Sequence, residues 1–317
     1  MKRNKETWIL FLLGCVTIIW GLNVIMVKYV ASIFPVFQVS AWRIAIAAIC
    51  LLIFTYKHWS KSWQHISKKS WIYIFLIGAS SIFAHQLTLA QGLTYTSGST
   101  GSLILALNPL TTALLAMLVL GDRFELKRFI GIGLGFFGVL LIVGQPSGLG
   151  EKALIGDAIM FASMLSYVIG GLLVKKVMAE VDVFSVTTFS HVIGAILLLL
   201  SWLILPTGEM VYQVPAFPYL VLIFSGVVAT ALGTTLWNIG IREIGPSRTT
   251  LFLNVMPLSS LIFASIFLGE QITWFHGVAL LFIMMGIYLG LSKGQKQLKL
   301  PEKQLIDTVP IGMNQKA

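Results

Sequence analysis

Stretches of about twenty almost uninterrupted apolar residues follow one another along this chain, each long enough to cross a bilayer as a helix. Windows of roughly 19 residues place ten such spans, near 8–30, 36–56, 71–91, 97–120, 128–144, 153–174, 184–205, 217–240, 247–268 and 273–292. The connections are short and carry turn formers such as TSGS at 96–99 and QPSGLG at 145–150. Of the 317 residues, 57% are apolar and only 11% charged, against about 25% charged in an average soluble domain. A single water-soluble core has too little polar surface to cover so much apolar material. The expected fold class is therefore an all-α polytopic membrane protein.

The opening MKRNKETW and the apolar run behind it look superficially like a secretory leader. The run continues to Val30 with no convincing small-x-small cleavage site, so it reads as the first span, retained in the mature protein. Cys15 and Cys50 both lie inside apolar runs, which argues against a structural disulfide or a zinc site. No cofactor or metal is expected.

The formal charge of +10 invites a nucleic-acid partner, but its placement gives it another meaning. With the N-terminus inside, 19 of the 22 basic residues fall on inner segments, and only Lys28, Arg43 and Lys152 remain near or beyond the outer face. That asymmetry fixes orientation, with both termini cytoplasmic in an inner or plasma membrane. The segment KHWSKSWQHISKKSW at 57–71 mixes lysine with tryptophan and reads as a cytoplasmic interfacial collar rather than an RNA or peptide site. The lysine-rich tail, 293–317, is expected to be disordered.

The two halves repeat each other. VFQVSAWRIAIAAICLL at 36–52 aligns on VFSVTTFSHVIGAILLL at 183–199 with 8 of 17 positions identical. NPLTTALLAMLVLGD at 108–122 matches MPLSSLIFASIFLGE at 256–270, pairing Pro109 with Pro257, Gly121 with Gly269 and Asp122 with Glu270. Each copy, 8–144 and 153–292, holds five spans. Five is odd, so the second copy enters the membrane inverted, an arrangement found in many secondary transporters.

GLGFFG at 133–138 is a literal G-x-G-x-x-G, the dinucleotide fingerprint when it joins a strand to a helix. Here it lies within an apolar span. Gly131, Gly135 and Gly138 are spaced i, i+4, i+7, which puts them on one helix face and Gly133 opposite. The expectation is helix packing, not nucleotide binding.

The N-P-L-x-x-A-L-L-A stretch followed by L-G-D, the glycine-spaced helix behind it, the second copy, the W-G-x-N of Trp20–Asn23 and Arg43 together resemble the EamA-type branch of the drug/metabolite transporter superfamily. The resemblance covers about residues 8 to 292. It implies ten helices in two inverted five-helix repeats, exporting amino acids, related metabolites or toxic compounds. The second copy departs from the first at Ala279 for Gly131, Ile283 for Gly135 and Ser190 for Arg43, which puts functional symmetry in doubt.

Candidate site residues are the polar and kinked positions within the spans. Pro109 and Pro257 remove a backbone donor mid-span and kink the helix, making them candidate hinges; Asn108, Thr111, Thr112, Asn254, Ser259 and Ser260 surround them. Trp20 and Asn23, with Tyr167 at the matching place in the second copy, are candidates to line a pocket. So are His85 and Gln86 in span three, with His191 a second membrane histidine; either histidine is equally readable as a hydrogen-bonded interior group. Arg43 and Lys28 read first as side chains snorkelling to outer headgroups, and Arg43 alternatively as an attractor of an anionic substrate group. None of the twelve acids falls at the centre of a span. Proton coupling would thus use histidine or a distributed set of groups, and facilitated exchange stays open. The expected partners are a small-molecule substrate, the bilayer, protons as a candidate coupling ion, and a second copy of the chain as a candidate homodimer partner. The expected function is a secondary exporter working by alternating access, the alternatives being a membrane enzyme or a non-transport membrane module.

Overall fold

A computed structural model of the chain describes residues 2–120, 126–141, 152–205, 214–244, 249 and 251–291. The turn at 145–150, the tail at 293–317, and Gly121 and Asp122 lie outside them. Among the described residues there are helices and turns and no strand. The α-helices are α1 (Lys2–Ala31), α2 (Val36–Phe54), α3 (Tyr56–Ser62), α4 (Lys68–Ile77), α5 (His85–Tyr95), α6 (Gly98–Leu105) and α7 (Asn108–Leu120). They continue with α8 (Leu126–Leu140), α9 (Lys152–Val177), α10 (Val183–Ile204), α11 (Ala216–Phe224), α12 (Gly233–Ile244), α13 (Val255–Leu268) and α14 (Trp274–Leu291).

Six helical runs are long and apolar enough to cross a membrane: Glu6–Ala31, Val36–Phe54, Lys68–Tyr95, Lys152–Val174, Val183–Ile204 and Ala216–Ile244. Phe129–Leu140, Val255–Leu268 and Trp274–Leu289 are shorter apolar helices. Polar residues mark where helices begin. Ser67 accepts from Ser70 N, Ser97 from Thr100 N, and Asp182 from Phe184 N and Ser185 N, each satisfying donors that a helix start leaves free. Large apolar side chains such as Phe11, Ile53, Phe54, Ile72 and Leu203 face outward, as they do where the surroundings are lipid. Inside, Leu107, Leu110, Met160, Met164, Ala279 and Ile283 belong to one buried cluster.

Two features differ from simple spanning helices. The fourth span is broken: α6 ends at Leu105, and α7 starts again at Asn108 with Pro109 in its first turn. In the ninth region a 3-10 turn, Leu251–Asn254, precedes α13, whose first turn holds Pro257. Both prolines thus start a helix, where the missing N–H was unneeded, instead of bending one in its interior. Secondly, α4 joins α5 through a π-helical segment, Gly78–Ala84, and α11 joins α12 through another, Ser225–Leu232. π-helix is rare and concentrates at functional positions.

Glycines let backbones meet at two crossings. Gly131, Gly135 and Gly138 of α8 are buried, and Gly133 is exposed. A Cβ on Gly138 would lie 2.7 Å from Ala279 O, and one on Gly286 would lie 2.5 Å from Gly131 O. At the other crossing, a Cβ on Gly226 would lie 2.8 Å from Arg43 O, and one on Gly78 would lie 2.9 Å from Ser190 O. In both places the same contact occurs twice with the halves exchanged, because residues 138 and 286, 131 and 279, and 43 and 190 correspond in the repeat.

Candidate functional site

The second π segment gathers three of the polar positions singled out by the sequence. Arg43, on α2, is wholly buried. Its Nε donates to Ser225 Oγ at 2.6 Å, and Ser225 Oγ in turn donates to Asn23 Oδ1 on α1. Among the described residues, neither Nη1 nor Nη2 of Arg43 has a hydrogen-bond partner. Four residues past Ser225, Ala229 O accepts from Trp20 Nε1 at 2.8 Å, and the Trp20 ring packs 5.0 Å from Trp237. Trp20, Asn23 and Arg43 therefore converge on one π segment from two different helices. Thr230 Oγ1 donates to Ser225 O at 2.8 Å, stitching the segment across five residues. Arg43 does not snorkel: it lies seven residues into α2, roughly 10 Å from the helix start at 1.5 Å per residue, and is directed into the bundle.

The first π segment carries a second group. His85 follows it directly and pairs with Ser163 of α9: Nδ1 lies 3.0 Å from Ser163 O, and Ser163 Oγ donates to His85 O at 2.9 Å. The Tyr167 ring lies 5.0 Å from the His85 ring, and Tyr167 O accepts from Ser81 Oγ within the π segment at 3.2 Å. Gln86 is linked to α2 where Ser40 Oγ donates to its backbone carbonyl at 3.2 Å, while its Oε1 is buried without a hydrogen-bond partner among the described residues. His191 is buried with Nδ1 2.7 Å from Thr187 O.

Asn108 is buried, and its Oδ1 and the Oγ1 of Thr111 have no hydrogen-bond partner among the described residues. No hydrogen bond joins Asn108 to either π segment among the described residues. Ser259 and Ser260 donate to Met256 O and Pro257 O within their own helix. The side chain of Asn254 lies outside the described residues.

A separate network closes one end of the bundle. Lys28 Nζ donates to Leu93 O at 3.1 Å and to Thr96 O, so its ammonium is tied to protein rather than reaching outward. Thr96 Oγ1 donates to Asp157 Oδ1 at 2.5 Å. Asp157 sits in the second turn of α9, buried, rather than at its terminus. Glu270 accepts from Gly98 N at 2.7 Å, Ser99 N at 3.0 Å and Ser99 Oγ at 2.6 Å, which places a carboxylate on the N-terminus of α6. Beside it opens a cleft of about 170 Å³ lined by Lys28, Tyr29, Ser32, Leu93, Thr94 and Leu268.

Sequence reasoning missed Ser225, Ser163 and Glu270. Ser225 and Ser163 are single hydroxyls in apolar runs, where local bonding to the helix backbone is the ordinary expectation. Glu270 stood among the acids outside span centres, and its role follows only from a contact 171 residues away.

A model of the EamA-like transporter family matches residues 7–144 and again residues 154–292. The chain belongs to the EamA-like transporter family. It is 32% identical over 275 residues, 86% of this chain and 89% of the relative, to the "Uncharacterized transporter YyaM" of Bacillus subtilis (strain 168). It is 24% identical over 287 residues, 88% of this chain and 93% of the relative, to a "Probable amino-acid metabolite efflux pump" of Salmonella typhimurium (strain LT2). One solved crystal structure covers 88% of this chain and 96% of its own with a TM-score of 0.62 and 16% identity, a likeness that speaks for the fold. This EamA-like protein is a multi-pass membrane transporter. One group of its buried polar side chains lies where α1 and α2 of the first matched region meet the π segment of the second.

Proposed function

We propose that the chain is a secondary transporter of ten transmembrane helices, built as two inverted five-helix repeats (8–144 and 153–292). It exports small metabolites such as amino acids or related amphipathic compounds across the inner or plasma membrane, with both termini and the 293–317 tail cytoplasmic. The inversion is supported by the exchanged glycine contacts. On α8 and α14 residue 138 meets residue 279 while residue 286 meets residue 131. Two corresponding helices that touch this way run antiparallel about a two-fold axis perpendicular to them, so the axis lies in the membrane plane.

The observation that carries the transport reading is the Asn23–Ser225–Arg43 chain, which joins the two repeats deep inside the bundle with donors left over. Polar groups at such depth mark solute pathways. Alternating access would rock one repeat against the other around this point. The broken spans at Pro109 and Pro257 would serve as hinges, and Trp20, His85, Gln86, Asn108, Tyr167 and Asn254 would line or support the path. The substrate class follows the printed names of the amino-acid efflux relatives.

Counterflow in proteoliposomes tests the reading. Purified protein loaded with pooled amino acids and amines is expected to take up labelled members of the pool, and repeating the assay with a pH gradient reports whether protons couple. Correctly inserted protein that exchanges nothing across the pool would remove the transport assignment.

A further inference from the structure

Resting on the transport reading, we propose that Arg43 anchors the substrate, and that the transported compound carries one carboxylate that docks across Nη1 and Nη2. A guanidinium offers five N–H donors. Here Nε uses one on Ser225, and the remaining four, on two nitrogens, have no hydrogen-bond partner among the described residues although the residue is fully buried. Leaving a buried cation unpaired is among the most unfavourable arrangements a protein can hold. Such an orphan is kept where a ligand completes it.

No carboxylate of the protein does so among the groups with assigned contacts. Asp157 is held by Thr96, Glu180 by Ser70, Asp182 by the start of α10, and Glu270 by the start of α6. The free edge of the guanidinium is the Nη1/Nη2 side, which matches the two oxygens of a carboxylate with parallel hydrogen bonds. One cation suits one negative charge; a phosphate dianion would call for a second, and Lys28 is engaged in the end network. Asn23 and Ser225 are positioning residues, fixing the plane of the guanidinium through Nε. Gln86 adds an acceptor without a partner on the neighbouring helix, and its backbone is tied to Ser40, one turn from Arg43 on the same face of α2.

The test uses full-length protein, purified in detergent for thermal-shift binding and reconstituted for counterflow. One probe pool holds the standard neutral L-amino acids, and the other holds the amines formed by removing their carboxylates. The acid pool should stabilise and exchange with the wild type, and the amine pool should do neither. Arg43→Gln should weaken acid binding about thirtyfold or more. Arg43→Lys, which keeps the charge and loses the fork, should recover part of the loss, and Ser225→Ala should weaken acids. Without ligand, Arg43→Gln should melt no lower than wild type, because it relieves an unpaired charge; a clear fall in melting temperature would mark Arg43 as structural and overturn the proposal. Equal responses to both pools would overturn the carboxylate while leaving transport intact, as would an acid response untouched in Arg43→Lys and Arg43→Gln. No response to either pool in binding also overturns it. Acid binding without exchange would instead sink the transport reading and leave the site standing.

Discussion

Glu270 shows how much a single side chain can secure in a chain with few charges. Its two oxygens take two backbone N–H groups and a hydroxyl at the start of α6, donors that would otherwise stay unsatisfied in an apolar setting. Glu270→Ala should lower stability by about 1–3 kcal/mol, and Glu270→Gln by less, because the amide keeps one acceptor. Thermal unfolding of the purified protein checks the order. If both variants melt like wild type, the cap contributes nothing. The sequence made Glu270 visible as a charge after an apolar run but hid what it touches, because its partners lie on another helix. Arg43 poses the same problem: its presence in span two is plain, yet its acceptor stands 182 residues away. Its burial reverses the snorkelling expectation, since the side chain turns inward to the π segment between α11 and α12 instead of along α2 to the headgroups.

Helices were the most legible feature, because runs of apolar residues long enough to cross lipid leave few alternatives. What the runs conceal is their interruption. GASSIFA and SGVVATAL carry no signal that separates π from α winding, since the difference is one residue in the span of each backbone hydrogen bond and depends on what packs alongside. The glycine spacing of α8 was readable because it rests only on helical periodicity. A side chain at Gly138 would strike the backbone of α14 at Ala279, so Gly138→Val should destabilise by about 1–3 kcal/mol. A Cβ added at Gly133 would meet nothing within 4 Å outside its own helix backbone. Gly133→Ala should therefore be neutral, or stabilising by up to about 1 kcal/mol through helix propensity. Denaturation of the two variants side by side distinguishes packing from a general intolerance of change in α8; equal damage from both would discard the packing account.

For the chain as a whole, the all-helical, multi-pass character was legible from the apolar spans, while the packing of one half against the other was not. Alignment offsets cannot say which helix of one half touches which helix of the other. Ser70 Oγ donates to Glu180 Oε2 at 2.7 Å, and Lys176 lies 5.2 Å over the Tyr73 ring, which gathers the 57–71 segment and the end of α9 together. With Cys15 and Cys50 first replaced, Lys61→Cys and Lys176→Cys should be labelled from the cytoplasmic side and Lys152→Cys from the outside. Labelling of the first two from opposite sides would refute the inverted arrangement. The bare edge of the Arg43 guanidinium bears on idling. A vacant carrier that seals itself must enclose an uncompensated cation, whereas a laden one encloses a neutralised pair. On the proposed docking of a carboxylate at Arg43, return of the empty carrier would thereby be disfavoured relative to the loaded one.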